Sequence, residues 1–312
     1  MIGLADVEAA ARRIGAHVRR TPLMRVEHAL HPIGAFDLRL KLECLQVSGS
    51  FKARGAMNRL LTTPRAQLAH GIVTASGGNH GLAVARAGHI AGVPVTVFLP
   101  DNASPAKQAK LAAWGAQTRI AGSVWDEADR VARDFATARG AVYFHPFADP
   151  AIVAGQGTVA LEILEDFPDP ELFVVAIGGG GLAAGIATVI RARHPAARIV
   201  GVEPVGSPTL HAALAAGQVV TLPSVTTGVP TLACARTDER VFAILRDALD
   251  GIVLVEDAAM LDAARWLWFE LGLAADPSGA AAVAALRSGA VAPRPGQRVC
   301  ALVCGAGPEG TG

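Results

Sequence analysis

Lysine is nearly absent from this chain. Lys41, Lys52, Lys107 and Lys110 stand against twenty-four arginines, so each lysine invites the question of why arginine was not used there. An excess of charge of one sign is also missing: the formal net charge is +1, and acids and bases are mixed along the chain. With no basic stripe, nucleic acid and anionic membranes are excluded as electrostatic partners. Aromatic residues make up 5% of the chain, too few for a platform on which single-stranded bases stack. The four cysteines, Cys44, Cys234, Cys300 and Cys304, show no paired metal-finger spacing; Cys300 and Cys304 are four apart, but no second pair or nearby histidine completes a zinc site. Cys44, Cys234 and Cys300 read as reduced thiols of a cytoplasmic protein. A signal peptide is not expected, because Asp6 and Glu8 precede Arg12, Arg13, Arg19 and Arg20, the pattern of an amphipathic surface helix. The uncharged run from Leu172 to Ile190 is long enough to cross a bilayer. Gly178, Gly179, Gly180 and Gly181 at its centre make a membrane helix untenable through backbone entropy. A buried strand, a tight loop and a buried helix fit it better.

What is present is an alternation of short apolar strands and longer helices. Strands are expected at Asp37–Glu43, Gly71–Ala75, Val93–Leu99, 173–177, 198–203, 251–255 and 298–303. Helices are expected at Lys52–Leu61, His80–Ala91, Pro105–Trp114, Val124–Arg139, 151–165, 182–193, 208–216, 238–249, 257–271 and 277–288. Helices of ten residues or more between five-residue apolar strands imply a largely parallel, doubly wound α/β fold. With 312 residues, half of them hydrophobic, the chain suits two medium domains or one large unit. The longest irregular stretch is Leu222–Arg236, and long loops in compact domains often carry function. In such folds ligands bind beyond the carboxyl ends of strands, at helix N-termini.

Three glycine-rich turns occupy such places, and one lysine joins them. Lys52 lies in Ser48-Gly49-Ser50-Phe51-Lys52-Ala53-Arg54-Gly55-Ala56, with turn-forming residues before it and a helix after it. A lysine amine that loses its proton is a nucleophile toward aldehydes, which arginine is not. The turn Ser76-Gly77-Gly78-Asn79-His80 offers backbone N–H groups and side-chain donors as a carboxylate-sized cradle; a plain capping turn with Asn79 at its start is the alternative. Gly178 to Gly181, followed by Leu182, exposes several N–H donors at a helix start, which suits one phosphate monoester. Gly178, Gly180 and a later glycine also approach a dinucleotide fingerprint, with Glu203 as the acid at the end of the next strand, so a nucleotide stays open on that motif alone. Cys304 ends the last strand; alone, it reads as a small buried hydrophobe.

Taken in this order, the motifs resemble the fold-type II pyridoxal-phosphate enzymes, and within them the threonine/serine dehydratases and serine racemases. The resemblance runs from Arg20-Thr21-Pro22-Leu23 through Lys41-Leu42-Glu43, the Ser50-Phe51-Lys52 segment, Asn79-His80, His145-Pro146-Phe147, Ala154-Gly155-Gln156-Gly157-Thr158, the tetraglycine loop and Val202-Glu203-Pro204 to Asp276-Pro277-Ser278-Gly279. It implies two doubly wound open-sheet domains of the tryptophan synthase β-like kind. Residues 1–67 and 147–312 would form the large cofactor-binding domain, and 68–146 a small mobile domain that closes over a small amino-acid substrate. Lys52 would carry pyridoxal 5'-phosphate covalently and later move the Cα proton, and Phe51 would pack on the ring. Asn79 would bond the ring hydroxyl oxygen, Gly178, Gly179, Gly180, Gly181 and the Leu182 N–H would bind the phosphate, and Cys304 would face the ring nitrogen. Ser76, Gly77, Gly78, Asn79 and His80 would hold the substrate carboxylate. A homodimer is the usual assembly of such relatives.

Departures from the pattern choose among those relatives. Serine racemases carry a second serine where Gly77 stands, and glycine supplies neither acid nor base, so elimination is expected over racemisation. Some relatives bind a divalent cation through positions matching Glu203, Ser207 and Thr209; only one carboxylate remains here, which argues against a metal. The expected reaction is α,β-elimination from L-threonine or L-serine to a 2-oxo acid and ammonia. Serine racemase, a 3-hydroxyaspartate dehydratase-like enzyme and a non-catalytic cofactor- or nucleotide-binding protein are the alternatives.

Overall fold

Strands that read as unbroken apolar runs need cover on both faces, and this requirement arranges the molecule. The computed structural model describes residues 2–76, 78–101, 103, 105–123 and 125–311, without the side chains of Ala106 and Lys107. The first part of the chain forms α1 (Leu4–Ile14), β1 (Leu23–Arg25), β2 (Asp37–Leu42) and α2 (Lys52–Thr62). Next come β3 (Ile72–Ala75), α3 (Asn79–Ala91), β4 (Val95–Leu99), α4 (Pro105–Ala113), β5 (Gln117–Ile120), α5 (Trp125–Arg139) and β6 (Val142–Tyr143). The remainder forms α6 (Pro150–Asp166), β7 (Leu172–Ala176), α7 (Gly181–Arg193), β8 (Arg198–Pro204), α8 (Thr209–Ala216), α9 (Glu239–Ala248), β9 (Gly251–Val255), α10 (Asp257–Leu271), α11 (Pro277–Arg287) and β10 (Arg298–Val303).

The strands make two sheets. One has the order β1-β2-β10-β7-β8-β9, parallel except for the short edge strand β1. The other has the order β5-β4-β3-β6 and is parallel throughout. All five residues of β7 are buried between β10 and β8. The uncharged stretch 172–190 thus divides into β7, a glycine turn and α7. No helix of the described residues is long and apolar enough to cross a membrane.

Helix α6 fixes the position of α2. A Cβ on Gly155 would lie 2.7 Å from the Gly55 Cα, so the two backbones touch where the helices cross and neither glycine tolerates a side chain. Beside this crossing lies a buried charge network. Arg54, 1% exposed, donates to Glu43 at 2.7 and 2.8 Å and to Glu162 at 2.6 and 3.0 Å. The Lys41 amine donates to Glu162 at 2.6 Å and to the Thr21 carbonyl at 2.7 Å. Burial pushes the Glu43 carboxyl up, but the Arg54 charge and hydrogen bonds, the Thr21 hydroxyl and Lys41 outweigh it and hold the carboxyl below its ordinary value. The start of α2 is therefore anchored to the turn that follows β2 and to α6 within two residues of Lys52.

Candidate active site

Three chain reversals meet at the carboxyl ends of β10, β7 and β3. Lys52 is the first residue of α2, and the Phe51 N–H donates to the Cys304 carbonyl at 3.3 Å, tying this helix start to the end of β10. The Lys52 amine donates to the Pro146 carbonyl at 2.8 Å and lies 5.1 Å from the Phe51 ring centre. Burial lowers its pKa to about 8, against small opposing contributions from Cys304 and Cys234. The positive end of α2 acts in the lowering direction too. The one lysine that the sequence singled out is thus an amine that loses its proton near neutrality.

The tetraglycine turn joins β7 to α7. Gly180 caps α7 with φ +90°, a left-handed conformation that favours glycine. A Cβ on Gly179 would sit 2.2 Å from the Phe147 ring, so Phe147 closes the turn from one side. First-turn N–H groups of a helix have no intrahelical acceptor, and here no side chain stands before them.

At the start of α3, Asn79 donates to Asp276 at 3.1 Å. Asp276 caps α11, accepting from the Ser278 hydroxyl at 2.6 Å and the Gly279 N–H at 2.5 Å. Asp276 therefore does two things: it starts α11 and it orients Asn79. Cys304 is 4% exposed and its thiol donates to the Ser278 carbonyl at 3.4 Å. Burial, reinforced by Asp276, pushes this thiol well above its ordinary pKa, so it stays neutral. Ser76 accepts from the Gly78 N–H at 3.3 Å. Gly77 lies outside the described residues.

His80 departs from its expected role as a side-chain donor. Its Nε2 lies 3.2 Å from the Phe144 carbonyl, and a carbonyl only accepts, so the ring's N–H is already spent. A carboxylate cradle in this turn has the main-chain N–H of residue 80 to draw on, not the imidazole.

Phe51, Lys52, Ser76, Gly78, Asn79, His80, Gly178 to Leu182 and Cys304 line a single cleft of about 590 Å³. The sequence reading missed part of its wall. Trp125, at the start of α5, donates to the Ala75 carbonyl at 2.9 Å and faces the cleft with its neighbour Asp126. Cys234 and Thr231 come from the 222–236 loop, where length and irregularity were the available signal. The Pro146 carbonyl is invisible to motif reading, because any residue supplies one; His145 shapes that turn by accepting the Phe147 and Ala148 N–H groups at 3.2 and 3.0 Å.

Glu203, Ser207 and Thr209 lie elsewhere, around the start of α8. Glu203 accepts the Leu210 and His211 N–H groups at 2.8 and 2.9 Å, and burial pushes its carboxyl up to about 7. Ser207 and Thr209 both donate to the Cys234 carbonyl. Among the described residues no group of three His, Cys, Asp or Glu side chains is placed to hold a metal ion. Glu203 thus caps a helix, and its two neighbours hold the loop that lines the cleft.

The donor set suits an aromatic aldehyde bearing a phosphate. A titrating amine, a helix N-terminus stripped of side chains, an amide and a buried neutral thiol converge on one cavity. Relatives point the same way. An L-threonine ammonia-lyase of Geobacter sulfurreducens is 40% identical over 302 residues, covering 97% of this chain and 75% of that protein. The fold superposes on maize serine racemase with a TM-score of 0.91 at 31% identity, covering 97% of this chain and 93% of that one. For a T.th. threonine deaminase the TM-score is 0.89 at 35% identity, with 98% of each chain covered. Residues 14–305 match the family described as pyridoxal-phosphate dependent enzyme, and the chain belongs to that family.

Proposed function

We propose that the protein is an ammonia-lyase that eliminates water from a small β-hydroxy amino acid, L-threonine or L-serine, and delivers a 2-oxo acid and ammonia. The observation that carries this reading is the convergence of the Lys52 amine, the side-chain-free start of α7 and the buried Cys304 thiol on one cleft, with burial lowering the amine's pKa and raising the thiol's. Pyridoxal phosphate supplies the electron sink for Cα–H cleavage when bound, and a neutral partner for the ring nitrogen makes that sink a moderate one, which favours prompt loss of a β-leaving group. In this reading Lys52 removes the Cα proton, the α3 and tetraglycine N–H groups hold carboxylate and phosphate, and Asn79, oriented by Asp276, fixes the ring hydroxyl. Loss of the Cα hydrogen and the β-hydroxyl as water leaves an enamine that hydrolyses to the 2-oxo acid and ammonia.

Two features choose among substrates and outcomes. Lys52 is the sole lysine or arginine among the described residues of the cleft wall, while Asp126 lies on it. A second carboxylate, as in 3-hydroxyaspartate, would meet an acid and no counter-charge. Racemisation needs a proton carrier on the face opposite Lys52, and the racemase-like position is Gly77. A positioned acid–base group contributes ~10²–10⁴-fold, so L-serine should be deaminated on the order of 100 times faster than it is racemised. Coupled 2-oxo acid detection beside chiral chromatography of the remaining serine checks this, and Gly77→Ser should raise the D-serine yield. Comparable rates for the wild type would favour the racemase alternative, and no 2-oxo acid from any β-hydroxy amino acid would end the lyase reading.

Residues 1–67 and 147–312 would act as the cofactor domain, and 68–146, which contains the four-stranded sheet, as the unit closing over substrate. Leu30, Trp268 and Phe269 expose 71%, 45% and 67% of their surfaces, and Glu270, which accepts the Leu30 and His31 N–H groups at 2.8 and 2.9 Å, ties the first to the helix that carries the other two. This apolar patch supports a homodimer. Phe269→Glu should then shift the mass measured by light scattering from two chains toward one; an unchanged dimer would move the interface elsewhere. The four unpaired, buried cysteines support a cytoplasmic location.

A further inference from the structure

The imidazole of His80 is a buried acceptor without a donor. The residue is 2% exposed and lines the cleft with Lys52. Its Nε2–H is committed to the Phe144 carbonyl. Burial and the nearby Lys52 charge hold the ring well below its ordinary pKa, so it is neutral and Nδ1 carries a bare lone pair. Nδ1 has no hydrogen-bond partner among the described residues, although it is buried. Such an atom calls for a donor, which excludes carboxylate and phosphate as its ligands.

Most side-chain donors of the cleft are committed: Asn79 and Ser278 donate to Asp276, Trp125 to the Ala75 carbonyl, Thr227 to Asp257 and Ser123 to Glu127, which leaves the Ser76 and Thr231 hydroxyls, the two thiols and the Lys52 amine. The Cys304 thiol donates to the Ser278 carbonyl and the Cys234 thiol to the Arg236 carbonyl. The Lys52 amine is different. It gains a third N–H when protonated, and its recorded acceptor is the Pro146 carbonyl, two residues along from the carbonyl that holds His80. Both side chains therefore hang from one short segment, 144–146. The charged or titratable groups facing the amine are Cys304 just past β10, Cys234 of the 222–236 loop, His80 of α3 and His145, with Asp126 of α5 on the same cleft wall.

We propose that Nδ1 of His80 accepts a hydrogen bond from the Lys52 amine when that amine carries the Cα proton, which makes His80 part of the catalytic base. Lys52 takes the proton, its ammonium is held between Nδ1 and the Pro146 carbonyl, and no bond to His80 forms or breaks. The kinetic consequence rests on the lyase reading above; the effect on the amine itself does not.

The amine is tested in the full chain stripped of cofactor, by reductive methylation of Lys52 against pH with mass-spectrometric readout, which four lysines make tractable. His80→Leu and the bulkier His80→Phe should move the Lys52 midpoint down by about one pH unit, a tenfold change in the ammonium-to-amine ratio. His80→Gln, which offers both an N–H for Phe144 and an acceptor, should restore most of it. In the wild type, the ¹⁵N signal of His80 Nδ1 should move upfield as Lys52 protonates, a readout that needs no folded variant. In the loaded enzyme, His80→Leu should lower kcat roughly 10–100-fold with L-serine and with β-chloro-L-alanine alike, with a larger Cα-deuterium isotope effect. An unmoved Lys52 midpoint, or a pH-invariant Nδ1 signal, overturns the proposal. So does a loss confined to L-serine, which would make the substrate hydroxyl the donor. A wild type inert toward β-hydroxy amino acids, with the methylation shift intact, would sink the lyase reading and leave the Lys52–His80 contact standing.

Discussion

Lys52→Ala should lose all measurable turnover, a fall of at least ~10⁴-fold, because in the mechanism we propose one side chain supplies both the nucleophile that holds the cofactor and the base that takes the Cα proton. Lys52→Arg should be as inactive, since a guanidinium does not deprotonate at working pH. Borohydride reduction followed by peptide mass spectrometry should place a pyridoxyl mass on Lys52 in the wild type and on no lysine in either variant. The pH dependence of loading has a definite sign. The free amine must be unprotonated to attack an aldehyde, and burial lowers its pKa to about 8. Cofactor uptake by stripped enzyme should therefore accelerate about tenfold per pH unit below that value and level off above it. Undiminished turnover in Lys52→Ala, or a pyridoxyl adduct on Lys41 or Lys110 instead, would remove the assignment.

Much of this cleft was legible because the chemistry proposed for it demands particular residue types. An amine at the start of α2 and glycines at the turn into α7 have no substitutes, and both stand out against the composition. Charge-free strands such as β7 were legible for the same reason, since only a doubly covered strand can be apolar on both faces. Edges were not. The strand β5, Gln117–Ile120, is largely exposed and polar, β6 has two residues, and β1 has three, so pairing rather than pattern creates them. The tautomer of His80 was equally hidden. It depends on the Phe144 carbonyl, 64 residues away in sequence, which no motif encodes. The same holds for the link from Asn79 to Asp276 across 197 residues: both residues were noticed, their contact was not.

Arg54→Met should be the most damaging substitution outside the cleft. The guanidinium sits between two carboxylates, Glu43 at 0% exposure and Glu162, with Lys41 as the other cation. Removing it leaves the buried Glu43 and the partly buried Glu162 facing one amine. Breaking a buried pair on one side costs roughly 3–5 kcal/mol, which at ~2 °C per kcal/mol for a chain of this size lowers the melting temperature by about 6–10 °C. Arg54→Lys should recover only part of this, because a point charge cannot serve Glu43 and Glu162 through separate N–H pairs. The pH dependence separates the electrostatic origin from a packing defect. In the wild type the Glu43 carboxyl lies below its ordinary value, so the stability it contributes is present above the unfolded pKa and is lost as pH falls through the folded one. In Arg54→Met, burial acts on Glu43 without the guanidinium, the carboxyl rises, and protonation relieves the penalty. The gap between wild-type and variant melting temperatures should therefore narrow from pH 7 toward pH 5, as followed by calorimetry. A cavity left by a lost side chain carries no such dependence, so a gap that stays constant or widens toward acid would show that volume, not charge, anchors the helix bearing Lys52.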